Sequence, residues 1–198
     1  MADPVQFEWH DIIQAELADV PPNAQVGPPD ARFAFGTDIG KVRRENQDRV
    51  AVIEWPEGSG HPGALFALVC DGMGGMSGGN EAAATTAAIL TIAALRARCH
   101  PSSGWLRAAA KEANHAVWKR LHGKGGAVFA AVLIGGDTPL VAHAGDARVY
   151  GIDKGSRVRP LTRDHVLPGD QGIINFVGMG PDFELEVHSC PGEVRSLL

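Results

Sequence analysis

Residues 64–98 read ALFALVCDGMGGMSGGNEAAATTAAILTIAALRAR, and the order of apolar run, acid, glycine-rich loop and alanine-rich run decides the fold. From Ala64 to Cys70 the chain is continuously apolar and bounded by turn residues, which predicts a strand covered on both faces. Asp71 closes that strand. Gly72, Gly74, Gly75, Gly78 and Gly79 then permit turns that other residues do not tolerate. Asn80 is suited to cap a helix over Glu81 to Arg98, with an acid at its start and Arg96 and Arg98 at its end, as the helix dipole prefers. Cys70 ends an apolar run, where a small buried thiol is far commoner than a nucleophile.

Working outward, RVAVIEW (Arg49 to Trp55) alternates and is β-branched, so it reads as a strand, and ARFAFGTDIG as another. PEGSGHPG between strands reads as a loop. Downstream, Ser102 or Ser103 caps a second helix that runs to about His122 and stops at Gly123. Its residues Leu106, Ala109, Ala113, Val117 and Leu121 share one buried face, and Trp105 and Trp118 read as helix core. From Ala127 to Leu161, AVFAAVLI, PLVAHAG, ARVYGI and RVRPL form a strand meander with turns GGDT and DKGS. Strands, two helices and more strands predict a layered α+β architecture rather than alternating βαβ units. Residues 1–30 read as an extension: an amphipathic stretch from Phe7 to Val20 runs into PPNAQVGPPD, whose prolines block helix and central strand. The domain is expected over residues 31–198.

Composition narrows the functional classes. The 198 residues carry 18 basic and 23 acidic side chains, a net charge of −5 with no basic run, which argues against a nucleic-acid binder. No apolar stretch approaches the roughly 18 residues of a membrane span, and the start MADPVQFEWHDIIQAEL lacks the marks of a secretory signal. A cytoplasmic protein is the expectation. Cys70, Cys99 and Cys190 are widely spaced without a CxxC pair, and the eight histidines form no HxxxH or HExxH pair, so neither a disulfide framework nor a zinc knuckle is indicated. The 25 glycines, about twice the usual share, suggest a sheet-rich domain with tight turns.

Three aspartates stand at predicted strand ends. Asp48 precedes RVAVIEW, Asp71 follows ALFALVC, and Asp146 lies at the bend in AHAGDARVY. Taken singly, each is most simply a solvated turn residue, although an acid after seven apolar residues is harder to dismiss. Converging carboxylates repel unless protonated or holding a cation, and hard ions such as Mg²⁺ or Mn²⁺ suit them. Arg43 and Arg44 lie just upstream, where one of them can grip an anion bidentately. Water-activating metals beside a phosphate-gripping arginine are the requirements of phosphoester hydrolysis. The glycine-rich DGMGGMSGGN also admits a nucleotide-binding reading, but it lacks the Lys-[Ser/Thr] of a P-loop, and Asp71 would repel a phosphate.

GTDIGKVRRENQD, ALVCDGMGG, AHAGDARVY and LTRDH, in this order, resemble the metal-dependent serine/threonine phosphatases of the protein phosphatase 2C type, over roughly Phe33 to His188. The resemblance implies two stacked antiparallel sheets flanked by helix pairs. It implies that Arg43 binds the substrate phosphate and that Asp48 serves the first metal, largely through water. Asp71 would bridge two Mn²⁺ or Mg²⁺ ions, the Gly72 carbonyl would complete the second metal's shell, and Asp146 would help hold a third, weaker ion. Phosphoproteins, including those of a partner serine/threonine kinase, would be the substrates, with a metal-activated water as nucleophile. Met73 stands where some members carry a general-acid histidine.

Two departures accompany the resemblance. The stretch LPGDQGIINFVGMGPDFELEVH is short for the family's flap. The family's later Asp-Gly and Asp-Asn pairs, which complete the first metal site, have no counterpart before Leu198, so the sequence reads as truncated at its C-terminal end. The alternative is a catalytically inactive phosphatase-like domain that binds partners. If the implied roles hold, Asp71→Asn removes more Mn²⁺ affinity than Asp146→Asn, because a bridging ligand serves two ions. Isothermal titration reads this, and equal losses would overturn the roles.

Overall fold

The computed structural model describes residues 23–26, 33–58, 61–73, 76–98, 100, 102–136, 138–169, 172–190 and 194–197. The amphipathic stretch expected from Phe7 to Val20 lies outside them, as does Cys99. The elements run β1 (Asn23–Val26), β2 (Phe35–Asp38), β3 (Asp48–Gly58), β4 (His61–Gly72), α1 (Gly79–Arg96), α2 (Ser103–Leu121), β5 (Ala127–Gly135), β6 (Leu140–Ala144), β7 (Tyr150–Asp153), β8 (Val158–Pro160), β9 (Glu186–Ser189) and β10 (Val194–Leu197).

Strands β3-β4-β5-β6-β9 form an antiparallel sheet, β10-β7-β8 a second one, and β1-β2 an antiparallel pair. Side-chain alternation assigns the faces. Ala64, Phe66, Leu68 and Cys70 of β4, with Ala127, Phe129, Ala131 and Leu133 of β5, face the helices in the main core. Ala130 and Val132 of β5 and Val141 of β6 point the other way. With Val149, Leu161 and Val194 they form a smaller core toward the second sheet. The architecture is the expected α+β stack of two antiparallel sheets. Among the described residues the helices form one pair, on one face, rather than flanking both.

Helix α1 lies flat on the sheet because alanines from Ala82 to Ala88 let its backbone approach closely, and all five are nearly inaccessible to solvent. It begins at Gly79, not Glu81, and its N-cap is Gly78 without a side-chain cap. The expected cap, Asn80, lies within the first turn and spends its amide on Arg49 and Glu45. Helix α2 starts as expected: the Ser102 hydroxyl accepts the Gly104 N–H at 3.2 Å, and His122 ends the helix in the left-handed conformation. Trp105 packs edge-on against Phe66 with centroids 5.7 Å apart, as core. Trp118 does not; it is 42% exposed and covers Gly123 and Gly180 from outside.

The loop PEGSGHPG is shorter than expected, since Glu57 pairs with Pro62 and Gly58 with His61. Glycine and proline are tolerated there because β3 is an edge strand and β4 pairs with β5 only from Ala64 onward. Asn23–Val26 pairs with Phe35–Asp38 inside the proline-flanked stretch, as a two-stranded ribbon that requires no central position. No described helix is long and apolar enough to cross a membrane.

Buried Asn114 of α2 ties the segment after residue 172 to the helices. Its oxygen accepts the Gly178 N–H at 2.9 Å and the Gly180 N–H at 3.3 Å, and its amide donates to Gly180 O at 2.7 Å. Asn114→Ala leaves these groups unsatisfied, so urea unfolding is expected to show a loss of about 2–4 kcal/mol. A loss under about 0.5 kcal/mol would mean that the segment is held elsewhere.

Candidate functional site

The loop between β2 and β3 is shaped by its own side chains. The Asn46 oxygen accepts the Asp48 N–H at 3.0 Å, and its amide donates to Thr37 Oγ1 at 2.7 Å. The Arg49 guanidinium, 2% exposed, donates to Asn46 O at 3.1 Å and Asp48 O at 2.7 Å, then reaches Asn80 on α1. Asn80 in turn donates to Glu45. Burial pulls the Arg49 proton affinity down, against the pull of Glu45 and Asp48. An arginine taken out of water this far is sustained by acceptors for both of its terminal nitrogens, Nη1 and Nη2. It staples the loop to the first turn of α1.

Strand register then sets Asp48 directly opposite Asp71. Side chains of such a cross-strand pair share one face at about 5 Å between Cβ atoms. Gly72 follows, buried, and a Cβ on it would stand 2.4 Å from Gly79 O and 3.0 Å from Gln47 O. No larger residue fits between the end of β4 and the start of α1. Gly72 N–H donates to Gln47 O at 3.2 Å, and Met73 N–H to Gly126 O at 3.0 Å, which fixes the chain as it leaves the sheet.

Arg43, Asp48, Asp71 and Gly72 line one cavity of about 200 Å³ together with Asp38, Glu45, Asn46 and Gln47. Four of the five residues singled out from the sequence thus converge. The fifth, Asp146, stands at the bend after β6, and its charge reaches Asp71. The Asp71 carboxyl is pushed up to about 6 by desolvation first, then by the charge and hydrogen bond of Asp48 and the charge of Asp146, with Arg43 opposing. Protein that crowds carboxylates until one holds its proton near neutrality offers a cation a favourable seat. The donor set, carboxylates with a neighbouring backbone carbonyl, suits hard divalent ions such as Mg²⁺ and Mn²⁺. The residues present fit the expected group.

Two neighbours escaped the sequence reading. Asp38 lines the same cavity, inside a motif where only the later arginines and Asp48 were singled out. A second cluster joins His143, His165 and Glu186, whose ligating atoms lie within 4.8 Å of one another. The sequence distances between them hid it, because none shares a local motif with another.

No protein-family profile matches the chain, and neither does any curated protein. Solved structures do. The S. agalactiae serine/threonine phosphatase is 25% identical, with 78% of this chain and 73% of that one covered at a TM-score of 0.62. The Mycobacterium tuberculosis serine/threonine phosphatase is 20% identical, with 85% and 73% covered at 0.61. PppA, a regulatory component of T6SS in Pseudomonas aeruginosa, is 20% identical, with 85% and 70% covered at 0.60. The fold is theirs.

The raised Asp71 proton affinity makes the metal-free fold more stable as pH falls. A carboxyl that binds its proton more tightly folded than unfolded adds stability on descending from above pH 6 toward 4. With chelator present, thermal melts at pH 7.5 and 5.5 should show a gain for the parent that Asp71→Asn lacks, on the order of 1 kcal/mol after solvent screening. At pH 7.5 the variant should also melt above the metal-free parent. Parallel behaviour of the two would overturn the account of the acid cluster.

Proposed function

We propose that this chain, whose fold and four ordered motifs resemble the protein phosphatase 2C type of serine/threonine phosphatase, hydrolyses phosphoserine and phosphothreonine in proteins with Mg²⁺ or Mn²⁺ as cofactor. The observation that carries this reading is the convergence of Arg43, Asp48, Asp71 and Gly72 on one cavity, a cationic grip beside a crowded carboxylate pair. Asp48, Asp71 and the Gly72 carbonyl would hold the ions, with Asp146 holding a weaker one. Ions so held would lower the pKa of a water and so provide the nucleophile.

The chain's own residues then divide the work. Arg43 binds two phosphate oxygens and draws the phosphorus toward the acid cluster. Asp48 and Asp71, acceptors when ionised, would hold the ions and orient the attacking water. The buried Arg49 keeps the loop that carries Arg43 and Asp48 fixed to α1. Cys70 is no nucleophile here: it is 1% exposed, and burial pushes its thiol far up. A polar cavity open at a sheet rim suits a phosphorylated side chain on a protein. Phosphoproteins, including those made by a partner serine/threonine kinase in cytoplasmic signalling, are the substrates we assign, and residues 31–198 the catalytic domain.

Hydrolysis of a small aryl phosphate with and without Mn²⁺ tests the proposal. Turnover should require the metal and fall at least about 100-fold in Asp71→Asn. Arg43→Ala should raise KM roughly 10-fold to 100-fold through loss of a charge-assisted bond. A folded parent that turns nothing over would overturn the enzymatic reading in favour of a phosphoprotein-binding domain.

A further inference from the structure

The proposed chemistry leaves the fourth motif, LTRDH, without a role, yet each of its last four residues grips the segment that carries Asp146. Thr162 Oγ1 accepts the Val149 N–H at 3.0 Å. Arg163 O bonds His143 Nε2 at 2.9 Å, and Asp164 takes the Arg148 guanidinium at its two oxygens, the first at 2.8 Å. His165 closes both main-chain groups of Gly145: its N–H donates to Gly145 O at 3.0 Å, and its Nδ1 faces the Gly145 N–H at 3.2 Å. Gly145 has φ +99°, and a Cβ there would stand 2.1 Å from Val128 Cγ1, so the bend admits glycine alone. Asp146 is the next residue.

These contacts also decide what the His143, His165 and Glu186 cluster is. A backbone N–H only donates, so His165 Nδ1 accepts, and its proton sits on Nε2, which faces Glu186 Oε2 at 3.3 Å. The Asn175 amide lies 2.8 Å from the same Nδ1, while its oxygen accepts the Glu184 N–H at 3.2 Å. A metal on His165 Nε2 would require the proton on Nδ1, setting donor against donor at Gly145 and Asn175. Arg163 O accepts, so His143 likewise carries its proton on Nε2. Its ring stacks on that of His165 with centroids 4.6 Å apart. The arrangement serves orientation, in the way carboxylates orient histidines behind a metal site.

We propose that His165 is a positioning residue: it locks the Gly145 bend that carries Asp146, beside Ala147, which lines a cavity with Asp48 and Asp71, and Glu186 and Asn175 lock its imidazole. The inference rests on reading the acid cluster as a cation site. Its test therefore has one readout that needs no cation. In ¹⁵N NMR of the metal-free chain, both imidazoles should be Nε2–H tautomers, and the Gly145 amide resonance should move in His165→Ala and return toward its parent position in His165→Asn, which puts an amide oxygen near the place of Nδ1. In Mn²⁺ titration, His165→Ala should weaken binding about tenfold, His165→Asn should recover most of that, and Glu186→Gln, still an acceptor, should lose little.

An Nδ1–H tautomer at His165, or an unmoved Gly145 resonance in His165→Ala, would overturn the proposal. So would stoichiometric Zn²⁺ binding lost on His143→Ala, which would make the cluster a metal site. Equal Mn²⁺ loss in His165→Ala and His165→Asn would reduce His165 to general packing. A parent that binds no Mn²⁺ would overturn the proposed function and with it the purpose of the lock, while the NMR readout still decides whether the lock exists.

Discussion

Pairing β3 with β4 so that the apolar faces meet the helices also forces Asp48 to stand opposite Asp71. Like charges in that position destabilise a sheet, and slipping the register by one residue would relieve them. The slip is closed off because β4 is also held by β5, so it would turn Ala51, Ile53 and Trp55 of β3 away from the main core and toward the opposite face. Burial of the strand's apolar face thus holds the carboxylates in a juxtaposition they would not choose. Much of the site follows from this constraint, including the high proton affinity of Asp71 and the fit to a cation.

Around that pair the protein uses small residues for proximity and a buried cation for order. Gly72 and Gly79 let the end of β4 touch the start of α1, and the alanines of α1 let the helix lie against the sheet. Arg49 enters the gap so formed and links Asn46, Asp48 and Asn80. A helix N-cap was given up in the process, since Asn80 serves the arginine and Gly78 stands at the cap. On the far side of the site, the LTRDH segment binds the β6–β7 bend through side chain and backbone alike. The β2–β3 loop lines the cavity and the β6–β7 bend stands beyond it, each tied down by its own polar contacts.

Much of the fold was legible because its signals are local. The apolar run of β4, the alternation in β3, the Ser102 cap and the turns of the meander each depend on a few adjacent residues. The errors arose where a residue had a choice of distant partner. Asn80 resembles a cap until Arg49 is seen 31 positions upstream, and Trp118 resembles core until Gly180 places it over the outside of the helix pair. PEGSGHPG has loop composition throughout, but pairing at its ends is set by the strands it joins.

The sequence by itself determined the strand that ends in Asp71, the glycines that must follow it, and the candidate acids and arginine, because a period of two and the steric demands of glycine act within a few residues. The tertiary structure decided that Asp48 faces Asp71, that Arg43 shares their cavity, and that His143, His165 and Glu186 meet. Those are matters of strand register and loop closure across 20 or more positions, such as the 21 that separate His165 from Glu186. Side-chain charge and hydrogen-bonding direction become informative only once packing has fixed which groups stand within about 3 Å of each other.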